Sequence, residues 1–490
     1  LATTLPNWLK QRAFLTPDRE AIRFEKESYT FGQLYEAAKK YAHYFASIGL
    51  QKGDFAAVLL KNKPTTIFII HAFQQLGVPT VLLNHRLTAQ ELNFQLKDSH
   101  AKLLVCDDEF DSLSLQLPND CQKVLLHQID LTSTSSFRSE YDLDEICTIM
   151  YTSGTTGNPK GVKQSYGNHW WSAMGSSLNL GLYEQDIWLC AVPLFHISGY
   201  SILMRSVIYG MTVHLFEHFN EQKINELLVK GEGTIISVVS TMLQRLLHDQ
   251  TEPYHSRFRC MLLGGGPAPK PLLEQCRDKG IPVFQTYGMT ETASQIVTLP
   301  PEYSLEKLGS AGKPLFPVQI MIMEGEAILS PHKAGEIIVK GPNVTSGYLH
   351  REDANRESFK DGWFHTGDIG YLDEEGFLFV LDRRSDLIIS GGENVYPAEI
   401  EATLLSHPQV EEAGVIGVKD EKWGEVPVAF LVAKQRAEKE ELSHFCRERL
   451  AKFKTPKEFI YVEELPRNAS KKLLRRELRA IFLKGERNEH

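Results

Sequence analysis

The stretch Tyr151-Thr-Ser-Gly-Thr-Thr-Gly-Asn-Pro-Lys-Gly161 sets six hydroxyl or amide side chains and one lysine in a single tight loop. Thr148 to Thr152 reads as a strand entering it, and Gly161 to Gln164 as the return. Gly154 and Gly157 permit backbone geometry in which N–H groups converge on an anion. Ser153, Thr155 and Thr156 add hydroxyl donors, and Lys160 adds a positive charge. This is the chemistry of a phosphate cradle, but not the Walker pattern, because G-x-x-x-x-G-K-[ST] cannot be laid on GTTGNPKG. Loops of Gly, Ser and Thr are usually plain polar hairpins; the density of donors here weighs against that.

Outward from the loop, the chain alternates helix and strand patterns. Thr30–Ile48 is predicted helical, with Gly49 as its stop; Pro64–Leu76 is a second helix ended by Gly77. Phe55–Leu60, Thr80–Leu83 and Leu103–Cys106 are apolar strand candidates, and the alternation recurs from Ile187 to Phe284. The pattern predicts an α/β fold with a largely parallel sheet. After about residue 310 the texture changes to short strands with Gly turns, such as Gly335–Gly341 and Gly376–Leu381. A polar run, Asp382-Arg-Arg-Ser-Asp386, then precedes about a hundred residues of βαβ-like alternation. The expected organisation is a large N-terminal domain of several subdomains (residues 1–382) with mostly parallel, helix-flanked sheets and a β-rich part. A hinge (383–386) joins it to a small α+β domain (387–490).

Composition agrees with a globular enzyme and excludes other classes. Of 490 residues, 42% are apolar and 23% charged, which rules out disorder, collagen-like repeats and a disulfide scaffold. The net charge of −9 argues against a nucleic-acid binder, which needs a clustered basic face. Residues 387–490 carry 18 basic and 18 acidic groups, so the whole −9 falls on residues 1–386. The seven cysteines are scattered singly, as reduced thiols are, with no zinc-ligand spacing. The start lacks a signal-peptide pattern, and no apolar run approaches the ~18 residues of a membrane span, so a cytoplasmic location is expected.

Three further clusters are ambiguous singly. Gly264-Gly-Gly-Pro267 follows the strand Met261–Leu263 and could bring backbone against a flat ring, or be an ordinary turn. Gln285-Thr-Tyr-Gly-Met-Thr-Glu291 follows Val283-Phe284, which puts Tyr287 and Glu291 at a strand end, where α/β folds bind ligands. Trp363-Phe-His-Thr-Gly-Asp368 presents a carboxylate after glycine, ordinarily a turn residue.

Taken together and in this order, these segments resemble the acyl-adenylate-forming superfamily of acyl-CoA synthetases, adenylation domains and firefly-type luciferases. The resemblance implies ATP, Mg²⁺ and a thiol acceptor, and a small domain that reorients between two half-reactions. It also implies roles by position. Thr152, Ser153, Gly154, Thr155, Thr156 and Lys160 match the loop on the β- and γ-phosphates, and Gly264 and Gly265 the adenine wall. Tyr287, with Gly288 beside it, matches the stacking ring; Thr290 a contact to the α-phosphate; Glu291 the Mg²⁺ carboxylate; Asp368 and Arg383 the ribose pair. Lys472 matches the catalytic lysine of the tail, although Lys471 stands where the family usually has Gly. Ser385 stands where the hinge usually has Asp or Lys. Gly391 and Gly392 match the wall of the pantetheine tunnel, with a plain strand-to-helix turn as the alternative for Glu393 and Asn394.

Pro193-Leu-Phe-His-Ile-Ser-Gly199 matches the motif that closes the acyl pocket, which places His196, Ser198 and Gly199 there. His196 occupies the position where amino-acid-activating members carry Asp, so a non-amino acid is expected, with free coenzyme A as acceptor since no carrier domain follows. Arg205 is the one charge in the apolar run Ser201–Ile208. It either snorkels to the surface or faces the pocket, and in the pocket it calls for a substrate with a second carboxylate. HISG, GGGPAPKPLL, QTYGMTETASQ and GSAGKPLFP resemble the branch of the superfamily that activates 2-succinylbenzoate in menaquinone biosynthesis. A medium-chain or aryl acid–CoA ligase and a non-catalytic nucleotide sensor are the alternatives. A luciferase-like oxygenase has no residue in its support, and the sequence leaves a homo-oligomer open.

Overall fold

The structure is a computed structural model. It describes residues 3–118, 120–131, 137–153, 159–265, 268, 270–382, 388–395, 397–433, 435–466, 473 and 475–488; for Ser153, Leu381, Asp382, Asn394, Ala398, Ala402, Arg476 and 485–488 it describes the backbone alone. The chain divides into two compact units. One comprises Leu1–His85, Leu96–Tyr151 and Gly161–Leu381; the other comprises Arg86–Gln95, Thr152–Lys160 and Asp382–His490.

Two sheets dominate the first part of the chain. In one, Gln122–Leu125, Leu103–Cys106, Ala56–Leu59, Thr80–Leu82 and Ile146–Ser153 run parallel in that spatial order, and Pro159–Ser165 lies at its edge. The other has a parallel centre: Glu20–Phe24, Thr212–Leu215, Ile187–Cys190, Ile235–Val238, Cys260–Leu263 and Val283–Met289. Four of these strands (TVHL, IISV, CMLL and the apolar end of IWLC) are buried, which is why they read as continuous apolar runs: helices cover both faces. From Ser294–Leu299 onward the same sheet turns antiparallel through Ser310–Pro314, Leu378–Asp382, Trp363–Leu372, Gly335–Lys340 and Gln319–Glu324. The change of texture near residue 310 marks this β-rich part.

Most predicted elements form with small shifts at their ends. Helix Phe31–Ser47 is capped by Thr30, whose hydroxyl accepts from the Gln33 N–H while the Gln33 side chain returns the bond. Helix Pro64–Leu76 and strand Leu103–Cys106 match the expected limits. All seven cysteines are free and buried. Among the described residues no helix is long and apolar enough to cross a membrane.

In the second unit a long hairpin, Val410–Asp420 with Gly424–Ala433, carries the fold. Glu458–Tyr461 adds parallel to Gly424–Ala433 after helix Lys439–Arg447, which is the expected βαβ alternation. The hairpin's side chains alternate between two cores. Val415, Ala429 and Leu431 face one way with Ile400, Leu404 and Leu442; Ile416, Val428 and Phe430 face the other with Leu465 and Leu478. Within this unit Arg86 pairs with Glu393, and Lys454 Nζ lies 2.6 Å from Glu91 and 2.8 Å from Glu399.

The helix after the lysine-rich tail motif, Arg475–Asn488, is tied to the hairpin at its first residue. Arg475 Nη2 lies 2.6 and 2.7 Å from the two oxygens of Glu401, and its Nε donates to the Val415 carbonyl at 3.1 Å. Glu401 also accepts from Val415 N–H at 2.8 Å. Glu401→Gln should therefore lower the unfolding free energy by about 1–3 kcal/mol, as expected for a hydrogen bond to a charged group. A chemical-denaturation midpoint equal to wild type would show that the tail helix is anchored without this pair.

Candidate active site

Strand Val283–Met289 and the turn after it carry four of the predicted nucleotide residues, Tyr287, Gly288, Thr290 and Glu291. The strand runs further than the sequence suggests: Tyr287 sits inside it, and only Thr290 and Glu291 lie beyond its end. A register shift between Tyr287 and Gly288 kinks the strand against Ser294–Leu299. Gly288 is required there, because a Cβ would fall 2.2 Å from the Ser294 carbonyl oxygen. The phenol of Tyr287 donates to Asp368 Oδ2 at 2.7 Å, with both residues 5% exposed. Two residues given neighbouring nucleotide roles are thus joined directly. Asp368 is a strand residue within Trp363–Leu372 and not a turn residue, and its N–H donates to Thr366 Oγ1 at 3.0 Å.

Gly264 and Gly265 follow the strand Cys260–Leu263, whose last residue pairs with Gln285 of the Tyr287 strand. A Cβ on Gly264 would meet Thr286 Cγ2 at 3.5 Å, so this backbone lies flat beside the Tyr287 strand. Glu291 is half-buried, and Tyr348 OH donates to its Oε1 at 3.0 Å. Mg²⁺ carried by a nucleotide takes one or two protein carboxylates, the phosphates and water supplying the rest. A single braced carboxylate at Glu291 fits that need. Among the described residues no cluster of three metal-ligating side chains exists elsewhere.

The acyl-pocket motif forms a loop and the start of helix Ile197–Tyr209, with half-buried His196 at the N-cap position. Buried Asn62 organises the loop: its Nδ2 donates to the Val192 and Phe216 carbonyls (2.9 and 3.2 Å), and its Oδ1 accepts from Leu194 N–H (2.9 Å). Gly199 seats the helix on this loop, since a Cβ would lie 2.2 Å from the Pro193 carbonyl oxygen. Ser198, by contrast, is exposed. Burial excludes the snorkelling alternative for Arg205, which is 1% exposed. Its guanidinium lies 5.3 Å above the Trp188 ring, its Nη2 donates to Ser294 Oγ at 3.2 Å, and its Nε has no partner. Burial lowers its pKa below the usual arginine value, and only Tyr209 and Cys260 act on it in the opposite sense.

In the second unit, Thr152 and Lys160 border the glycine-rich loop, and both are half-buried. Gly391 and Gly392 have φ of 58° and 85° and connect strands Ile388–Ser390 and Glu393–Val395. They form a two-residue hairpin turn, which favours positive φ, and Glu393 and Asn394 belong to its second strand and not to a strand-to-helix turn. Gly154, Thr155, Thr156, Arg383, Ser385, Lys471 and Lys472 lie outside the described residues, as does the side chain of Ser153. Sequence reading missed Trp188, Ser294 and Tyr348. Only the fold brings Trp188 and Ser294 to Arg205, and Tyr348 to Glu291.

The chain matches the AMP-binding enzyme family over residues 9–349 and the C-terminal domain of AMP-binding enzymes over residues 399–472. It is 59% identical over 493 residues to the 2-succinylbenzoate–CoA ligase of Geobacillus kaustophilus (strain HTA426), covering 99% of each chain. A double mutant of Bacillus subtilis o-succinylbenzoate CoA synthetase, solved with its product analogue OSB-NCoA, superposes with a TM-score of 0.93. It shares 53% identity over 97% of this chain and 98% of that one. The same Bacillus subtilis enzyme solved with ATP and magnesium ion gives a TM-score of 0.78 at 52% identity, over 97% of this chain and 100% of that one. With a large N-terminal and a small C-terminal domain of the adenylate-forming fold, and a family match over most of its length, the chain belongs to the AMP-binding enzymes.

Proposed function

We propose that this chain is an ATP-dependent acid–thiol ligase that converts 2-succinylbenzoate to 2-succinylbenzoyl-CoA in the cytoplasm, within menaquinone biosynthesis. The observation that carries the choice of acid is Arg205. A buried guanidinium that forms no ion pair with a carboxylate among the described residues is expensive, and an anion brought by the substrate offsets that cost. A diacid has such an anion to spare after the other carboxylate has reacted. His196 in place of an acidic residue supports the same reading, because nothing at that position pairs with an ammonium group. The similarity to ligases of this name over the whole chain supports it independently.

The reaction joins two anions, so positioning and charge compensation carry it. In the first half-reaction an oxygen of the succinyl carboxylate attacks the α-phosphorus of ATP. The bond to the β-phosphate breaks, and pyrophosphate leaves. Tyr287 and Asp368 fix the nucleoside end, Thr152 and Lys160 hold the outer phosphates, and Thr290 faces the α-phosphate. Mg²⁺ bound at Glu291 supplies Lewis-acid compensation of phosphate charge. Lys472 stabilises the charge that grows on the phosphoryl oxygens. In the second half-reaction the coenzyme A sulfur attacks the acyl carbon; the anhydride bond breaks, AMP leaves, and the thiol proton is released. Residues 387–490 act in this reading as a mobile domain hinged at 383–386, with Gly391 and Gly392 along the thiol's path.

Pyrophosphate release measured with ATP, Mg²⁺ and a panel of acids tests the assignment. 2-Succinylbenzoate should be activated far better than benzoate or octanoate, and equal rates with those acids would overturn the choice of substrate. For the lysine, Lys472→Ala should cut adenylation by about a hundredfold or more while sparing thioester formation from supplied acyl-adenylate. Equal losses in both half-reactions would contradict that role.

A further inference from the structure

The turn that follows Tyr287 is held in an unusual way. Four consecutive carbonyls each accept a hydrogen bond from a different, distant residue. Gln164 Nε2 donates to Thr290 O at 2.6 Å and Thr345 N to Glu291 O at 2.7 Å. Asn343 Nδ2 donates to Thr292 O at 2.9 Å and Ser172 Oγ to Ala293 O at 2.6 Å. The backbone here needs such support. Ala293 and Ser294 take φ of 51° and 111°, the left-handed region that side chains disfavour. Conformations of that kind persist only when the surroundings over-determine them.

Gln164 differs from the other three donors because it is the inner end of a buried chain of side chains. Gln164 and Thr148 are fully buried and His169 is 2% exposed. Thr148 Oγ1 lies 2.9 Å from Gln164 Oε1 and 3.1 Å from His169 Nε2. The direction of each bond follows from the donors available. The Gln164 amide must aim its N–H at the Thr290 carbonyl, so its oxygen can only accept, and the Thr148 hydroxyl hydrogen goes there. His169 must then donate from Nε2 to Thr148. Burial pushes the His169 pKa down to about 3, which keeps the ring a neutral single donor across the working pH range. Gln164 therefore has one rotamer and one amide orientation, fixed from behind.

We infer that Gln164 is a positioning residue for adenylation: by holding the Thr290 carbonyl it sets where Thr290 and Glu291 meet the α-phosphate and its metal. The inference rests on the proposed roles of those two residues and goes beyond them, because Gln164 itself touches no reactant. Of its neighbours on the strand, Ser165 bonds Asn168 and Lys163 meets Thr345 and Gly347 through its backbone, so the side-chain bond to Thr290 belongs to the glutamine amide.

The test separates the half-reactions in the full-length protein. Gln164→Leu should slow pyrophosphate release by about tenfold to a hundredfold, the range for stranding a buried acceptor, and raise the Mg²⁺ needed for half-maximal rate. Thioester formation from supplied acyl-adenylate, which needs neither the metal nor the outer phosphates, should stay within about threefold of wild type. Gln164→Glu keeps the shape and covers the case in which the leucine variant fails to fold. Protonated, it donates to Thr290 O and accepts from Thr148; ionised, it sets an oxygen against the carbonyl. Its adenylation rate relative to wild type should therefore recover as pH falls. Equal losses in both half-reactions, wild-type adenylation in both variants, or a pH-independent glutamate variant would overturn the inference. Glu291→Gln is the companion measurement. If its Mg²⁺ dependence moves and that of the Gln164 variants does not, the inference alone fails; if its own does not move, the reading of Glu291 fails with it.

Discussion

A guanidinium carries five N–H donors and a permanent charge, and burying one constrains everything around it. Arg205 meets that constraint with the face of Trp188 and the hydroxyl of Ser294, and leaves Nε over. Trp188 can serve because it sits on a central parallel strand, where its own indole N–H is satisfied by Ser237 Oγ at 3.1 Å. Helix Ile197–Tyr209 can carry the arginine because its other buried residues are apolar or small, and Gly199 lets it close on the loop that begins at Pro193. Among the described residues no carboxylate forms an ion pair with this cation, and in the proposed reading the missing charge arrives with the ligand.

Ser294 connects Arg205 to the turn that carries Thr290 and Glu291. It lies three residues after Glu291, at the end of the strained turn, and Gly288 packs directly on its carbonyl. Arg205, through its bond to Ser294, and Glu291, the proposed Mg²⁺ carboxylate, therefore meet on one short piece of backbone. Gln164, Ser172, Asn343 and Thr345 pin that piece from three directions, so little of its geometry is left to the turn's own preferences. Rigidity here suits a reaction in which two anions must be brought together at a defined angle.

Much of this was legible in the sequence, for physical reasons that can be named. Strands such as Cys260–Leu263 are buried on both faces and read as apolar runs, and Gly77 and Gly49 end helices because they adopt positive φ. The motif residues Tyr287, Glu291 and Asp368 declared themselves by type and order, and the fold joins Tyr287 to Asp368. What stayed hidden depends on distance. Nothing in the local sequence of Trp188, Tyr348 or Gln164 distinguishes it from a structural residue, and the motif around Ser294 gives that serine no part; each acquires one through a partner 17 to 126 positions away. Strand Val283–Met289 runs beyond the Val283-Phe284 read from the sequence because Gly288 sits at a bulge and lets two strands touch. The hairpin at Gly391-Gly392 is hidden for a related reason: two glycines permit several turns, and only the pairing of Ile388 with Val395 selects one.

The central claim is that Arg205 receives the second carboxylate of the substrate. It is tested most directly by crossing the protein with its ligand: kcat/KM for adenylation of 2-succinylbenzoate and of the analogue lacking the ring carboxylate, each with wild type and with Arg205→Met. Wild type should prefer the diacid by about a hundredfold or more, the scale of a buried charge pair, and the methionine variant should lose most of that preference. A variant that still discriminated as strongly as wild type would place the second carboxylate elsewhere and contradict the account.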